Sequence, residues 1–466
     1  MNVSIPLFIL LGATLLMHAR DQWGFITVKP ATIFIAGILA ALVSISFIGF
    51  GGAFEGKYVL DRFALTLSMC ALGSSLLLFV LRPSFRETVQ SHDLLAVAGI
   101  VAAAGAQDLL LLLAGLSISI LSLTRPTRIS IASRFYSAPA IALAALGLGL
   151  ALIVALGGTT RIVDARMSIG VLQVNHRGDI GLILIPALIM LFGSFFILLA
   201  PTRADQWLRR SVRMTTAGDA LTLLLWPLII LVLFARIYIG VLFAFSDPVM
   251  SPNDWGIGMS ILLGLGMLAV MIAARGEKAR DQFLFRAWQF QLLMIPVGLM
   301  AVTSSGLASS LSLVVIATIN TVLLSLVVVN RSRAISWPSI VVAAAMIGFP
   351  GVAGFFIRLA TLDAAANVTG LKLPLTILLA VQFAVVAVFC TVLVRHSGNV
   401  IRASRQLSGM GADASGSGFL PAQHTGMPSA LLVVVVLAVM LVSSLLTPAL
   451  LTVLSPSGEM FGLTLK

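Results

Sequence analysis

The sequence predicts an all-α polytopic membrane protein with about 14 transmembrane helices, and three observations support this fold class. Of the 466 residues, 59% are hydrophobic and only 10% are charged, so the chain has too little polar surface to cover a soluble globule of its size. Apolar segments of membrane-spanning length recur along the whole chain. The lysines and arginines between those segments concentrate in every second loop.

Each predicted span has roughly the 17 to 25 residues that a membrane helix needs. The spans are 3–19, 30–51, 62–81, 91–106, 107–124, 135–157, 180–200, 215–242, 256–274, 287–304, 307–329, 336–359, 371–395 and 427–454. The boundary between the fourth and fifth spans is placed at the short stretch "GAQD". The first span lacks a preceding cation and a following small-residue cleavage site, so we expect a retained helix rather than a signal peptide.

The distribution of cations sets the expected topology. If the N-terminus faces outward, the inner loops hold twenty of the 29 lysines and arginines. This asymmetry fits the positive-inside rule for an even number of helices with both termini outside, in a bacterial inner (cytoplasmic) membrane. The cations are spread singly through short loops, so the lipid bilayer is an expected partner and nucleic acid is not.

The chain divides into five parts on this topology. These are helices 1–3 in residues 1–90, helices 4–8 in 91–245, helices 9–13 in 256–396, an inner linker in 397–426 and the last helix in 427–466. The linker region is rich in glycine and serine, which predicts flexibility. The last helix is expected to stand isolated after it.

A short internal repeat links the seventh and twelfth spans. The stretch "FGSFFILLAP" in the seventh resembles "VAGFFIRLAT" in the twelfth. The two copies lie five spans apart, and because five is odd, they cross the membrane in opposite directions. This is the arrangement of inverted-topology repeats.

The seventh and twelfth spans are also predicted to be interrupted. In the twelfth, four helix-breaking residues lie within seven positions: Gly348, Pro350, Gly351 and Gly354. A broken helix at membrane depth is tolerated only where protein or a water-filled cavity surrounds it, which is typical of an ion path. A proline kink used only for packing is the alternative.

Three motifs resemble a known family. The stretch "AAAMIGFPGVAGFFIRLATLDAA" is similar to a twelfth-helix motif, "DLLLLLAGLSISILSL" from Asp108 to a fifth-helix motif, and the segment from Arg134 to one that opens with "KYF". These motifs belong to the antiporter-like membrane subunits of respiratory complex I, membrane-bound hydrogenases and multisubunit cation/proton antiporters. The length of the chain and the order of the motifs are most similar to the N subunit of bacterial complex I or its hydrogenase counterparts.

The resemblance implies two inverted five-helix repeats joined by a central polar axis of buried lysines, a glutamate and sometimes histidines. This chain departs from that pattern at most of the family's ion-path positions. Ser117 stands at the fifth-helix glutamate, Phe196 lies where the seventh-helix lysine is expected, and Trp226 lies near the eighth-helix lysine. Only at the twelfth-helix position does this chain still carry a cation, Arg358.

Three charges within predicted spans are candidates for a functional role, and each has two interpretations. Asp219 is either an interfacial carboxylate near a loop cation such as Arg213 or a proton entry point. Arg236 lies about two turns from an outer end and could snorkel there, or it could belong to an ion path. Arg358 either marks the outer end of the twelfth span, followed by Asp363, or holds a fixed positive charge that sets the pKa of its neighbours or pins a partner subunit.

The sequence predicts no cofactor, metal or catalytic site of its own. It contains no zinc-ligand spacing, phosphate-binding loop, nucleophile triad or dinucleotide fingerprint. Its two cysteines, Cys70 and Cys390, lie far apart in apolar segments. The lysines and glutamates all lie outside the centres of the predicted spans, so a proton relay would lack its usual titratable groups.

These observations leave three functional hypotheses. The first is a membrane-arm subunit of a complex I-like or hydrogenase-like assembly whose proton path is degenerate, with other membrane subunits as partners. The second is a subunit of a multisubunit cation/proton antiporter or of an ion-coupled inorganic-carbon uptake system. The third is a lone secondary transporter, which an inverted repeat would also suit.

Overall fold

The computed structural model consists almost entirely of α-helices. It describes residues 2–23, 27–124, 137–175, 181–199, 208, 211–242, 254–277, 280–300, 302–328, 337–349, 353–366, 377–378, 380–392, 394–395 and 429–456. The predicted linker 397–426 and the glycine-rich stretch 406–428 lie outside these residues, as do Pro350 and Gly351.

Among the described residues, the first half of the chain begins with eight helices and one β-hairpin. They are α1 (Ile5–Trp23), α2 (Pro30–Phe47), β1 (Gly51–Ala53), β2 (Tyr58–Leu60), α3 (Arg62–Leu81), α4 (Ser91–Gly105), α5 (Leu109–Leu123), α6 (Ser137–Gly157), α7 (Ile162–Asn175) and α8 (Gly181–Leu199). A short 3-10 turn, Pro83–Glu87, joins α3 to α4.

The first half ends with α9 (Ala217–Leu233), which continues as a π-helical turn over Phe234–Ile239. The following helices are α10 (Asp254–Gly276), α11 (Arg280–Leu299), α12 (Ser304–Val328), α13 (Trp337–Ile347), α14 (Ala353–Ala366), α15 (Ala380–Val392) and α16 (Ser429–Leu454). Each of the predicted spans overlaps a helix, and the "GAQD" boundary is confirmed between α4 and α5.

Helices α9 and α12 form the centre of the bundle. Every residue in the apolar window of α9 and its π-turn is buried, as is 83% of the window in α12. Helix α9 packs against α3, α4, α5 and α8 on one side and against α11 and α12 on the other. The two halves of the chain therefore meet along these two helices.

The β-hairpin marks one end of the bundle, which we call the hairpin end. Its strands pair antiparallel, with Gly51 opposite Leu60. Isolated bridges extend the pairing from Tyr58 to Ala106 and from Asp108 to Arg161. The starts of α3, α5 and α7 and the ends of α4 and α6 consequently lie together, as alternating antiparallel helices require.

The chain is a multi-pass membrane protein. Among the described residues, six helices are long and apolar enough to cross a bilayer, and several shorter apolar helices accompany them. The exact count of fourteen crossings and the inverted relation of the two halves remain predictions.

The prediction of two interrupted spans is half confirmed. The twelfth span is divided into α13 and α14, which end and begin at Ile347 and Ala353. The interruption of the seventh span is wrong within Gly181–Leu199, where α8 is continuous with Pro186 inside it. A single proline near the start of a helix removes one backbone hydrogen bond, and α8 lacks the glycine cluster that opens the twelfth span.

One whole helix and one helix boundary differ from the sequence prediction. Helix α7 was expected to be an outer loop, yet it buries Ile162, Ala165 and Ile169 on one face. Helix α11 begins at Arg280, seven residues before the predicted span at 287. Arg280 and Arg286, expected in a loop, are therefore helical and buried.

The expectation of an isolated last helix is also wrong. Helix α16 packs against α12, α13 and α14, and its Thr447 is buried. Close van der Waals packing between helices drives their association in membranes, so an apolar helix is more stable against other helices than in lipid alone. The last helix thus supports the interrupted span.

Candidate ion-path region

Three positions at which the resemblance implies ion-path residues lie on α5, α8 and α9 and carry side chains that do not titrate. Ser117 on α5 and Phe196 on α8 are half-buried. Trp226, in the middle of α9, is fully buried, and its indole N–H donates to the Leu198 carbonyl oxygen at 2.9 Å. None of these three side chains changes protonation near neutral pH.

The fourth position, Arg358, lies beside the interruption of the twelfth span. Helix α13 ends in a Schellman motif, because the Gly348 N–H donates to the Ala345 carbonyl at 3.2 Å and the Phe349 N–H to the Ala344 carbonyl at 3.0 Å. Gly348 has φ +71°, in the left-handed region that glycine adopts without strain. Gly354 lies in the first turn of α14.

The side chain of Arg358 folds back across this break. Its Nη2 donates to the Met346 carbonyl oxygen at 2.6 Å, and its guanidinium lies 5.0 Å from the centre of the Phe290 ring. A Cβ on Gly348 would come within 2.5 Å of Nη1. Arg358 is only 5% exposed, so its charge is enclosed by protein rather than free at the surface.

Arg236 is buried at the hairpin end and does not snorkel to the surface. It is 2% exposed, its Nη2 donates to the Ala104 carbonyl at the end of α4, and the same nitrogen lies 3.5 Å from Asp61 Oδ2. The guanidinium also lies 5.1 Å from the centre of the Phe63 ring. Because a buried carboxylate compensates its charge, Arg236 has no need to reach the interface.

Asp61 was missed by the sequence analysis, which placed it just outside the third span. It caps α3, where its Oδ1 accepts the Ala64 N–H at 2.7 Å. The sequence signal for this cap is an aspartate directly before an apolar helix. Its second role, as partner of Arg236 across 175 positions, has no local signal.

Tyr58 completes the buried cluster at the hairpin end. Its side chain is fully buried, and its hydroxyl has no hydrogen-bond partner among the described residues. Burial raises the pKa of Tyr58 to about 12; the negative charge of Asp61 acts in the same direction, and Arg236 opposes both. The phenol is therefore protonated throughout the physiological range.

Asp219 lies at the opposite end of the bundle, in the first turn of α9. It forms a capping box with Thr216, whose hydroxyl accepts the Asp219 N–H at 3.2 Å. Its Oδ2 also accepts the Thr215 hydroxyl at 2.8 Å. Threonines thus take the place of the expected cation such as Arg213, and capping accounts for this carboxylate.

A second carboxylate at that end, Asp93, was not singled out from the sequence. It caps α4 by accepting the Gln90 N–H at 2.9 Å, and its Oδ1 lies 3.6 Å from His92 Nε2. Its place at the edge of a predicted span made it resemble an ordinary loop residue. It lies beside the start of α9, where a Cβ on Gly218 would be 3.1 Å from Oδ1.

A buried polar seam runs along α11 and α12 in the second half. Arg286 donates to the Gln289 amide oxygen at 2.6 Å and lies 3.6 Å from a Glu277 oxygen. Further along α11, the Gln291 amide oxygen accepts the Asn320 amide at 3.4 Å. At the middle of both helices the seam is thus made of amides, which bind water but do not titrate.

Metal binding is not indicated in the described part of the chain. Its histidines, cysteines and carboxylates form no group of three that could hold a metal ion. The buried charges instead lie against backbone carbonyls, aromatic rings and a few carboxylates. The described interior therefore combines buried arginines, a few carboxylates at helix ends and neutral hydrogen-bonding groups.

Solved structures with the same overall fold include chains of three membrane complexes. A chain of the Mrp complex from Dietzia sp. has a TM-score of 0.68 at 17% identity and covers 98% of this chain and 96% of that chain. A chain of respiratory complex I from Thermus thermophilus with bound NADH has a TM-score of 0.65 at 15% identity, with coverages of 98% and 99%. A chain of the membrane-bound sulfane sulfur reductase, an archaeal respiratory membrane complex, has a TM-score of 0.73 at 14% identity, with coverages of 99% and 97%.

No protein-family model and no curated protein matches the sequence. At identities of 14% to 17% the structural similarity establishes the fold. The similarity extends over nearly the full length of each chain, so it is not limited to a few shared helices. The protein therefore has the polytopic fold of membrane subunits of the Mrp, complex I and sulfane sulfur reductase complexes, as its motifs predicted.

Proposed function

We propose that this chain is an antiporter-like membrane-arm subunit of a complex I-like or membrane-bound hydrogenase-like assembly. The full-length fold similarity to chains of multisubunit complexes supports this assignment. Its partners are other membrane subunits, and those partners carry any electron transfer. Its place is the bacterial inner membrane with both termini outside, and residues 91–245 and 256–396 are its two inverted repeats.

The proton path of this subunit is degenerate, so that it acts as a structural or modified ion-translocating element. The observation that supports this proposal is that Ser117, Phe196 and Trp226, where the resemblance implies titratable groups, do not titrate. Trp226 is also held by a hydrogen bond to the Leu198 carbonyl. A proton relay through a membrane needs groups that gain and release protons. Arginine keeps its charge and does not replace lysine in that role.

Purification from native membranes tests the assembly. We expect a tagged chain to co-purify with other membrane subunits and with subunits that carry redox centres, identified by mass spectrometry. Isolation as a monomer under conditions that preserve other membrane complexes would contradict the assignment. It would favour the lone secondary transporter.

Substitution of the amide seam tests the degenerate path. Gln291→Met with Asn320→Leu removes the polar groups at the middle of α11 and α12 while approximately keeping their volume. We expect proton translocation by the native assembly to change less than about twofold, because these amides do not titrate. A loss of tenfold or more, with the assembly intact, would show that protons pass along this seam.

A second candidate is a subunit of a multisubunit cation/proton antiporter or of an ion-coupled inorganic-carbon uptake system. The fold similarity to a chain of the Mrp complex favours it. The same co-purification separates the two: small antiporter subunits or a large soluble zinc protein among the partners would select this candidate. Redox subunits would select the first.

A further inference from the structure

Helix α13 ends at the break in the twelfth span, with its carbonyl end at Ile347. A helix that ends inside a membrane protein presents unsatisfied carbonyl oxygens and the negative end of its dipole where little water can reach them. The Schellman motif satisfies the carbonyls of Ala344 and Ala345. The Met346 carbonyl is satisfied by the Arg358 guanidinium, which comes from the other side of the break.

Such carbonyl ends are the places where interrupted membrane helices coordinate mobile cations. We propose that Arg358 is a tethered cation that occupies the cation site of the interrupted helix and excludes Na⁺, K⁺ or Li⁺ from it. The ligand class of the site is a monovalent cation. In this chain the cation is covalently attached to α14 and cannot leave.

The packing around Arg358 shows a site shaped to hold a guanidinium. Gly348 leaves room that any Cβ would fill, because such an atom would lie 2.5 Å from Nη1 and 2.8 Å from Cζ. The Phe290 ring covers another side of the guanidinium at 5.0 Å. Among the described residues, no carboxylate forms an ion pair with Arg358, so the carbonyl end of α13 is its main source of negative charge.

The choice of arginine makes this occupancy permanent. A lysine at the same place could lose its proton and vacate the site, whereas arginine stays charged at physiological pH. The inference therefore deepens the proposed degenerate path and rests on the chain being a membrane subunit of that kind. It depends on no particular partner.

Thermal unfolding of the full chain, purified in its native assembly, tests the inference. The variants are Arg358→Gln and Arg358→Met, each melted in NaCl, KCl, LiCl and choline chloride at equal ionic strength. Because a ligand that binds only the folded state stabilises it, we expect both variants to melt about 2 °C higher in at least one alkali chloride than in choline chloride. The unsubstituted chain should show no such difference.

Asp61→Asn with Arg236→Gln is the matched control, since this pair also removes a buried arginine that is not at a helix break, together with the carboxylate that would otherwise attract a cation. It should show no preference for alkali cations over choline. Melting temperatures of both Arg358 variants that are equal in all four salts would overturn the inference. If the variants are unfolded in choline chloride, the inference requires an alkali chloride to restore the folded chain, and failure to do so would also overturn it. Co-purification of the same partners separates this outcome from failure of the proposed assembly.

Discussion

Arg236 and Arg358 are both buried inside a membrane protein, yet their charges are compensated in different ways. Arg236 has a carboxylate, Asp61, within 3.5 Å and binds a helix-end carbonyl as well. Arg358 has a helix-end carbonyl and an aromatic ring. In this fold an ion pair therefore joins helices of the first half, whereas a helix terminus and an aromatic ring hold the cation of the second half.

The internal repeat sharpens this comparison. The alignment of "FFILLA" with "FFIRLA" places Leu198 opposite Arg358. In the first copy the carbonyl of Leu198 accepts a neutral indole N–H from Trp226. In the second copy a guanidinium donates to the carbonyl of Met346, across the break. The aligned residues thus have different roles: Leu198 accepts a hydrogen bond with its backbone carbonyl, whereas Arg358 donates one with its side chain.

The largest effect is expected when Arg236 loses its carboxylate. Asp61→Asn keeps a side chain able to cap α3 but leaves the buried guanidinium without a counter-charge. We expect the free energy of unfolding to fall by about 3–5 kcal/mol. Denaturant unfolding of the purified chain measures this loss.

Asp363→Asn is the control for that substitution, because Asp363 is exposed on α14. It should change stability by less than about 0.5 kcal/mol. The double variant Asp61→Asn with Arg236→Gln should lose less than the sum of the two single changes, since it removes both members of the pair. A loss for Asp61→Asn no greater than that of the control would show that the pair contributes nothing.

The next effect concerns the break that holds Arg358. Gly348→Ala places a Cβ against the guanidinium and forces a non-glycine residue to φ +71°. We expect a cost of about 1–3 kcal/mol. Gly73→Ala on α3 is the matched control: a Cβ there meets no atom within 4 Å, so the helix should gain up to about 1 kcal/mol. Equal behaviour of the two variants would contradict the close packing of Arg358 on Gly348.

A smaller effect is expected for the neutral donor in the first half. Trp226→Phe removes the hydrogen bond to the Leu198 carbonyl and leaves part of the indole volume empty. We expect a loss of about 1–2 kcal/mol. A thermal melt of the full chain measures it, with Trp23→Phe, which changes an exposed indole, as the control. A loss above that for Asp61→Asn would reverse the ranking of the neutral and charged sites.

The sequence could predict features that depend on local composition. The glycines and proline near Gly348 predicted a break because they limit a helix wherever they occur together. The apolar runs predicted nearly every helix, because a membrane-spanning helix needs a continuous apolar segment wherever it occurs. Helix α7 was missed, although the spacing of Ile162, Ala165 and Ile169 is the buried face of an amphipathic helix; its polar content excluded it from the list of spans.

The pairing of Asp61 with Arg236 could not be predicted in this way. The two residues are 175 positions apart, and nothing in either local sequence specifies the other. The start of α11 was misplaced for a related reason. From the sequence alone Arg286 resembles a loop cation, because its partners Glu277 and Gln289 are brought to it only by folding. Burial of a charge depends on its partners, and partners brought together by tertiary packing leave no periodic pattern.

The smallest effect at neutral pH is expected for Tyr58, whose hydroxyl lies beside the Arg236 pair without a hydrogen-bond partner among the described residues. Tyr58→Phe removes a buried polar group that gains nothing from folding, so stability at pH 7 should stay equal or rise by up to about 1 kcal/mol. Burial raises the pKa of Tyr58 from 10.0 to about 12. Above pH 10 the unfolded chain therefore releases this proton before the folded chain does, and the tyrosine form loses stability between pH 10 and 12. The advantage of the phenylalanine variant should grow over that interval in unfolding experiments, and an advantage that shrinks would mean that the phenolate is stabilised by Arg236 in the folded chain.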